Sequence, residues 1–483
     1  MEYDLVVIGS SKVGIEAAEK ATLLGARVAL VTLTSTRIIK QQLASNCLIF
    51  QAATNLREQV NYSTWLKQNQ LDCQLAIDFE AINNIVNSDL LLDNSLANLE
   101  ALGVDIVWGE GEFCRLPQQA FIAGKRKLRS RNYLITIQSE FKIPTFPGIE
   151  LVKCLTYPDV WQQKNLTSLG NNVAVIGNSA ASLVLAQVLA RLRKKVTLIV
   201  AQPRILLPED LAAVRLIQAQ LEADGVEIIP NSPVKQIKKI VDETWLQAGD
   251  KALVVDTIVF GDYRELNLTK LNLAGVGVKY DDTGITINNK LQTTNKSIYA
   301  CGDSTSAFTT EMAQQQVNLA LKNILLLPWF ATNYALIPRV VFTTPTLVSV
   351  GLNEIEAKQN YQHQIYIVRE YFKNITQSQI SAQNTGWCQF ILTAPGEILG
   401  CTIIGDRAEE LITTVIVMMQ NKIKLSNNAI RGLLKTEIAT LDPSFSVILT
   451  KIVAKFYQQK LQKQPQKYRW LKTWLKLKRN FSK

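Results

Sequence analysis

Thr294-Asn295-Lys296-Ser297-Ile298-Tyr299-Ala300-Cys301-Gly302-Asp303 is the stretch whose reading decides the fold. It is a short apolar strand that ends in a Gly-Asp pair and leads into a new helix. About 290 residues earlier stands the other half of the pattern. Residues 2–8 read as a buried parallel strand, followed by the turn Gly9-Ser10-Ser11-Lys12-Val13-Gly14, a helix to about residue 24, and a second strand over 27–33. A domain assembled from two distant pieces of chain accounts for that separation.

A second strand-turn-helix-strand unit begins 168 residues after the first: strand 173–176, turn Gly177-Asn178-Ser179-Ala180-Ala181-Ser182, helix to 192, strand 195–200. Either turn alone is open to the reading of a plain structural crossover. Two in order predict an α/β chain with two Rossmann-like domains.

At 483 residues the chain is long enough for several cores. Its longest apolar candidate, residues 319–336, is broken by Lys322, Asn323, Pro328 and Asn333, so no membrane-spanning helix is expected. The strand that begins beside Met1 leaves no room for a signal peptide, and the expected location is the cytoplasm. Seven cysteines, at 47, 73, 114, 154, 301, 388 and 401, show no CxxC or CxxxxC spacing, which suits reduced, mostly buried thiols. With His363 the only histidine, a Cys/His zinc site is not expected.

The order of parts resembles the pyridine nucleotide-disulfide oxidoreductases, and within them the mercuric-reductase-like and dihydrolipoamide-dehydrogenase-like flavoproteins, over roughly residues 1–455. The resemblance implies a split FAD-type domain (1–148 and 270–335), an NAD(P)-type domain (149–269) and a C-terminal α+β dimerisation domain (336–457), hence a homodimer. Residues 458–466 read as a polar linker, with Pro465 ending whatever precedes it, and the basic tail runs through 458–483.

The same resemblance shows what is missing. Cys47 aligns with the second member of the family's CxxxxC pair, but the first falls at Gln42, so Cys47 reads as a small core residue rather than a redox thiol. The family's His-Glu pair aligns with Thr440 and Val447. A positioned acid or base is worth ~10²–10⁴-fold in rate, and none stands there. His363 lies in a polar run and reads as a surface residue. No catalytic residue is therefore assigned.

Cofactor residues are partly kept. For FAD the resemblance points to Gly9, Ser11 and Gly14 in the first turn, where the helix N-terminus favours a pyrophosphate. It points also to Ser139, in Thr136-Ile137-Gln138-Ser139, and to Gly302 and Asp303, with Asp303 like the residue that hydrogen-bonds the flavin's ribitol side. The bland alternative is that Asp303 caps the following helix. The acid expected at the ribose is Thr32. For the nicotinamide nucleotide the set is Gly177, Ser179 and Arg204, with Ser182, Val184 and Val200 where relatives differ. Arg204 would favour NADP through its 2′-phosphate, or is simply an exposed loop arginine.

The whole excess of positive charge lies in residues 448–483. The chain has 52 basic and 41 acidic residues, and 11 of the basic ones fall within 448–483, where no acid occurs. Tyr468 to Lys483 has helical spacing, with Trp470, Leu471, Trp474, Leu475, Leu477 and Phe481 on one face and Lys472, Lys476 and Arg479 on the other. This pattern fits a helix lying on an anionic membrane surface, or one docked on the protein's own body. Cations confined to one short tail do not make a nucleic-acid surface. Two functions follow: a FAD-dependent oxidoreductase without disulfide chemistry, passing electrons from NAD(P)H to an acceptor such as a quinone, or a non-catalytic scaffold on the same fold. No protein partner is legible.

Overall fold

The computed structural model describes residues 2–32, 93–115, 117–161, 166, 169–306, 309–361, 365–425, 441–463 and 465–481. Cys47, His363 and Thr440 lie outside the described residues. By internal contact the chain forms two compact units. One takes in the described parts of 1–52, 77–177 and 234–337, the other those of 178–233 and 338–483.

The first unit is built on a five-stranded parallel sheet in the order Ile298–Ala300, Ser130–Ile135, Tyr3–Ile8, Val28–Thr32, Asp105–Trp108. Strand Tyr3–Ile8 is apolar on both sides because both faces are covered. Val6 and Ile8 pack with Phe113, Phe121 and Tyr133, while Leu5 and Val7 pack with Ala17, Ala18, Ala21, Val317 and Leu321 of helices Lys12–Leu23 and Thr310–Leu325. The aromatic side is set by edge-to-face contacts, Phe113 to Phe121 at 5.1 Å and to Tyr133 at 5.4 Å. Since the strands run parallel, the turns after Ile8, Ile135 and Ala300 leave from the same sheet edge. That edge is where ligands bind in open α/β sheets.

A second parallel sheet has the order Val226–Ile229, Lys195–Ile199, Asn172–Ile176, Thr257–Phe260, Lys153–Thr156. The C-terminal part is an antiparallel sheet, Arg339–Val341, Thr346–Gly351, Ile398–Gly405, Trp387–Thr393, Ile365–Tyr371, covered by helices Ala408–Gln420 and Val447–Gln462.

One sequence expectation changes here. The polar stretch taken as a linker is helical as far as Gln462, with helix Pro465–Phe481 following after Lys463. Lys460 explains it: the side chain is buried, its Nζ donates to Ala394 O at 2.6 Å, and it lies over the Phe456 ring. A charged residue in the sequence pattern thus serves as an interior one. Pro465 starts a helix, a position where its missing N–H costs nothing.

Candidate functional site

The first turn is wound tightly around a single threonine. Gly9 has φ +111°, and a Cβ there would sit 2.7 Å from Thr136 O. Gly14 is more constrained still, since a Cβ would lie 2.1 Å from Gly9 O and 2.5 Å from Thr136 Oγ1. Thr136 Oγ1 donates to Gly9 O at 2.7 Å, and Ser11 Oγ donates to Thr136 O at 2.8 Å while accepting from Gly14 N at 3.2 Å. Ser11 therefore caps the helix from where the family has its close-approach glycine. Ser10 is 1% exposed, and its Oγ has no hydrogen-bond partner among the described residues. An unmet buried hydroxyl costs about 1–3 kcal/mol, so the turn carries a donor left over for a ligand oxygen. At the end of strand Val28–Thr32, Thr32 Oγ1 donates to Val107 O at 3.3 Å.

Gly302 and Asp303 stand at the same sheet edge. Gly302 takes φ +67°, and its N–H donates to Gln316 Oε1 at 2.7 Å. Asp303 caps no helix: helix Thr310–Leu325 is capped by Thr309. Its Oδ2 accepts instead from Ser139 N at 3.0 Å and from Ser139 Oγ at 2.6 Å. Arg264 Nη1 is 3.6 Å from that same oxygen. Arg264 was not singled out by sequence, although a lone arginine soon after the apolar strand Thr257–Phe260 was there to be noticed. Burial pushes its guanidinium below the usual range, against the opposing charges of Asp303 and Asp262.

The second turn repeats one feature of the first and lacks the rest. Ser179 Oγ accepts from Ser182 N at 3.2 Å, the same cap at the same place. Ser182 is fully buried with a side chain where the first turn has glycine, and Val184 and Val200 are buried too. Asn178 fastens the following loop, with Nδ2 donating to Arg204 O at 3.2 Å and Oδ1 accepting from Leu206 N at 3.0 Å. Arg204 turns back on its own loop, with Nη2 donating to Leu207 O at 2.6 Å and Nη1 to Glu209 O at 3.5 Å. The loop is anchored further by buried Glu209, paired with Arg339 Nε at 2.6 Å and accepting from Ser349 Oγ at 2.6 Å. Those carbonyl bonds hold the guanidinium to its own loop.

Cys154, Cys301 and Cys401 are poor nucleophiles. Burial pushes Cys154 up to about 11, Cys301 higher, and Cys401 well above the usual thiol range with help from its hydrogen bond to Cys388. Val447, where the family's glutamate would fall, packs against the C-terminal core. In the tail, every residue from Lys472 to Arg479 is exposed, including Trp474 at 54%, Leu475 at 44% and Leu477 at 47%. Along that length the helix is not buried against the protein's body. No helix among the described residues is long and apolar enough to cross a membrane.

With that geometry in place, comparison with known proteins is informative. Residues 3–322 match the family model described as pyridine nucleotide-disulphide oxidoreductase, and residues 337–432 match the model of its dimerisation domain. A mercuric reductase of Staphylococcus aureus is 25% identical over 430 residues, 87% of this chain and 77% of that protein. The chain spans 66% and 55% of two other mercuric reductases. A dihydrolipoyl dehydrogenase of Bacillus subtilis is 24% identical over 444 residues, 85% of this chain and 90% of that one. Among solved structures, the Cu(II) complex of the HOCl-induced flavoprotein disulfide reductase RclA from Escherichia coli aligns with a TM-score of 0.76 and 21% identity. The alignment covers 94% of this chain and 99% of that one, and at this identity it speaks for the fold alone.

Proposed function

Because the chain belongs to the pyridine nucleotide-disulphide oxidoreductase family but has no CxxxxC pair, we propose that it is a FAD-dependent oxidoreductase whose electron acceptor is not a disulfide. The observation that carries this reading is Asp303, held by Ser139 at the sheet edge where the tight Gly9-to-Gly14 turn also opens. Gly9, Ser10, Gly14, Gly302 and Asp303 are the residues that would hold FAD. When bound, a flavin supplies reversible one- or two-electron transfer, so a small acceptor such as a quinone needs no thiol relay. The chain's own part is to bind and orient the cofactor, with Ser139 fixing the carboxylate. Should Arg204 leave its loop carbonyls, it is the cation that would favour NADPH over NADH as the donor.

The exposed stretch Lys472 to Arg479, in a segment without acids, supports a place at an anionic membrane surface, where each cation contributes ~1 kcal/mol. The match to a dimerisation domain supports a homodimer. Purified protein supplemented with FAD, desalted and denatured should release about one flavin per chain, as expected of a single-site flavoprotein. Release of none sinks the reading. Co-sedimentation with anionic vesicles, lost on truncation after Gln464, tests the tail.

A second reading, a non-catalytic scaffold, is favoured by the second turn, where buried side chains and loop bonds occupy the positions a nucleotide would need. It expects a colourless protein that still binds vesicles.

A further inference from the structure

The chain returning from the second sheet places one cation against the cofactor aspartate. Arg264 belongs to the two-residue strand Arg264–Glu265, which pairs antiparallel with Glu140–Phe141, directly after Ser139. The pairing puts Arg264 opposite Phe141, and the guanidinium lies over that ring with its carbon 4.1 Å from the centroid. Its Nη1 comes within 3.6 Å of Asp303 Oδ2, the oxygen that already accepts from Ser139 N and Ser139 Oγ. A hydrogen-bonding serine and a cation from two separate chain segments thus converge on one carboxylate oxygen. Both side chains are largely withdrawn from water, Arg264 to 26% and Asp303 to 14% exposed.

Stability alone is a weak reason for this arrangement. Taking two charges out of water costs about as much as their attraction returns, and an apolar pair of similar volume is often as stable. The neighbouring pair Lys142–Glu265 shows the contrast, because both its side chains are more than half exposed, where ion pairs contribute little in either direction. A planar cation clamped between a ring and a carboxylate restricts the carboxylate's rotation, which is useful only if the direction of that carboxylate matters.

We propose that Arg264 is a positioning residue which, with Ser139, holds the Asp303 carboxylate fixed for hydrogen bonding to the polyol chain of a bound flavin. This rests on the reading of Asp303 as a cofactor residue. Arg264 acts through Asp303, and it need not touch the ligand.

A double-mutant cycle on FAD binding separates this role from simple packing. Apo-protein would be titrated with FAD, following quenching of flavin fluorescence, for wild type, Arg264→Gln, Asp303→Asn and the double variant. Melting by circular dichroism would be recorded alongside. Each single change should weaken FAD about tenfold, ~1.4 kcal/mol. The double variant should be no weaker than the poorer single one, and Arg264→Lys should recover little of the loss, because an ammonium cannot lie flat on Phe141 while facing Asp303. Additive losses near a hundredfold, or a Lys variant as tight as wild type, would overturn the proposal. Should Arg264→Gln fail to fold, Ser139→Ala in place of it gives the same cycle from the other support of Oδ2. Unchanged affinity in Arg264→Gln with normal wild-type binding removes the positioning role alone, whereas a wild type that takes up no FAD removes the cofactor reading and this proposal with it.

Discussion

The two glycine-led turns of this chain are alike in one bond and unlike in almost everything around it. In both, a serine stands at the middle position and its hydroxyl accepts from the N–H three residues on, Ser11 from Gly14 and Ser179 from Ser182. Around the first, Thr136 bonds both Gly9 and Ser11, and the space beside Gly14 is too small for a methyl group. Around the second, a buried serine side chain occupies the equivalent of Gly14, and Arg204 is bonded to its own loop. The capping serine alone therefore says little about binding. What distinguishes the turns is whether close backbone approach has been kept, and it has been kept only in the first.

The comparison breaks most easily at Gly14. Gly14→Ala drives a Cβ into the Gly9 carbonyl and should cost ~3 kcal/mol or more. Ser182→Ala in the second turn should cost less than ~1.5 kcal/mol, the loss of one hydroxyl's bonds. Denaturant midpoints measure both, and equal costs would erase the distinction. Gly9→Ala should follow Gly14→Ala closely, because a side chain at φ +111° is strained even before it meets Thr136 O.

Ser11→Ala and Ser179→Ala sharpen the contrast at the shared bond. The cap itself is worth ~1 kcal/mol in each. Ser11 also donates to Thr136 O, so its loss should reach ~2 kcal/mol. A loss at Ser11→Ala no larger than the ~1 kcal/mol of a cap would show that the Thr136 contact contributes nothing.

The smallest expected effect is at Arg204. If its guanidinium serves mainly the loop carbonyls, Arg204→Gln should lower stability by ~1 kcal/mol and leave any NADPH-driven flavin reduction little changed. Unchanged stability with a large rise in the NADPH concentration required would assign Arg204 to the nucleotide instead.

Much of this architecture was legible in the sequence because it is local. Strand, turn and helix follow one another in both units, as Tyr3–Ile8 with Lys12–Leu23 and Asn172–Ile176 with Ala180–Arg191 show. Gly302 and Asp303 were readable from the end of one strand. What could not be read is long-range: Ser139 meets Asp303 across 164 residues, and Ser11 meets Thr136 across 125. Arg264 escaped for the same reason, since its importance lies in the antiparallel pairing with Phe141. Lys460 misled because its charge suggested solvent, while the fold supplied the Ala394 carbonyl as an interior partner. Arg204 was visible as a cation, but only the folded loop reveals which carbonyls it serves.

The central claim, that the first turn and Asp303 form a flavin site while the second turn is given over to structure, is tested most directly by visible absorption of the FAD-supplemented, desalted protein before and after Asp303→Asn. A flavin spectrum at about one equivalent in the wild type, as a single site requires, and markedly less in the variant would meet the prediction. A colourless wild-type protein, or equal flavin in both, would contradict it.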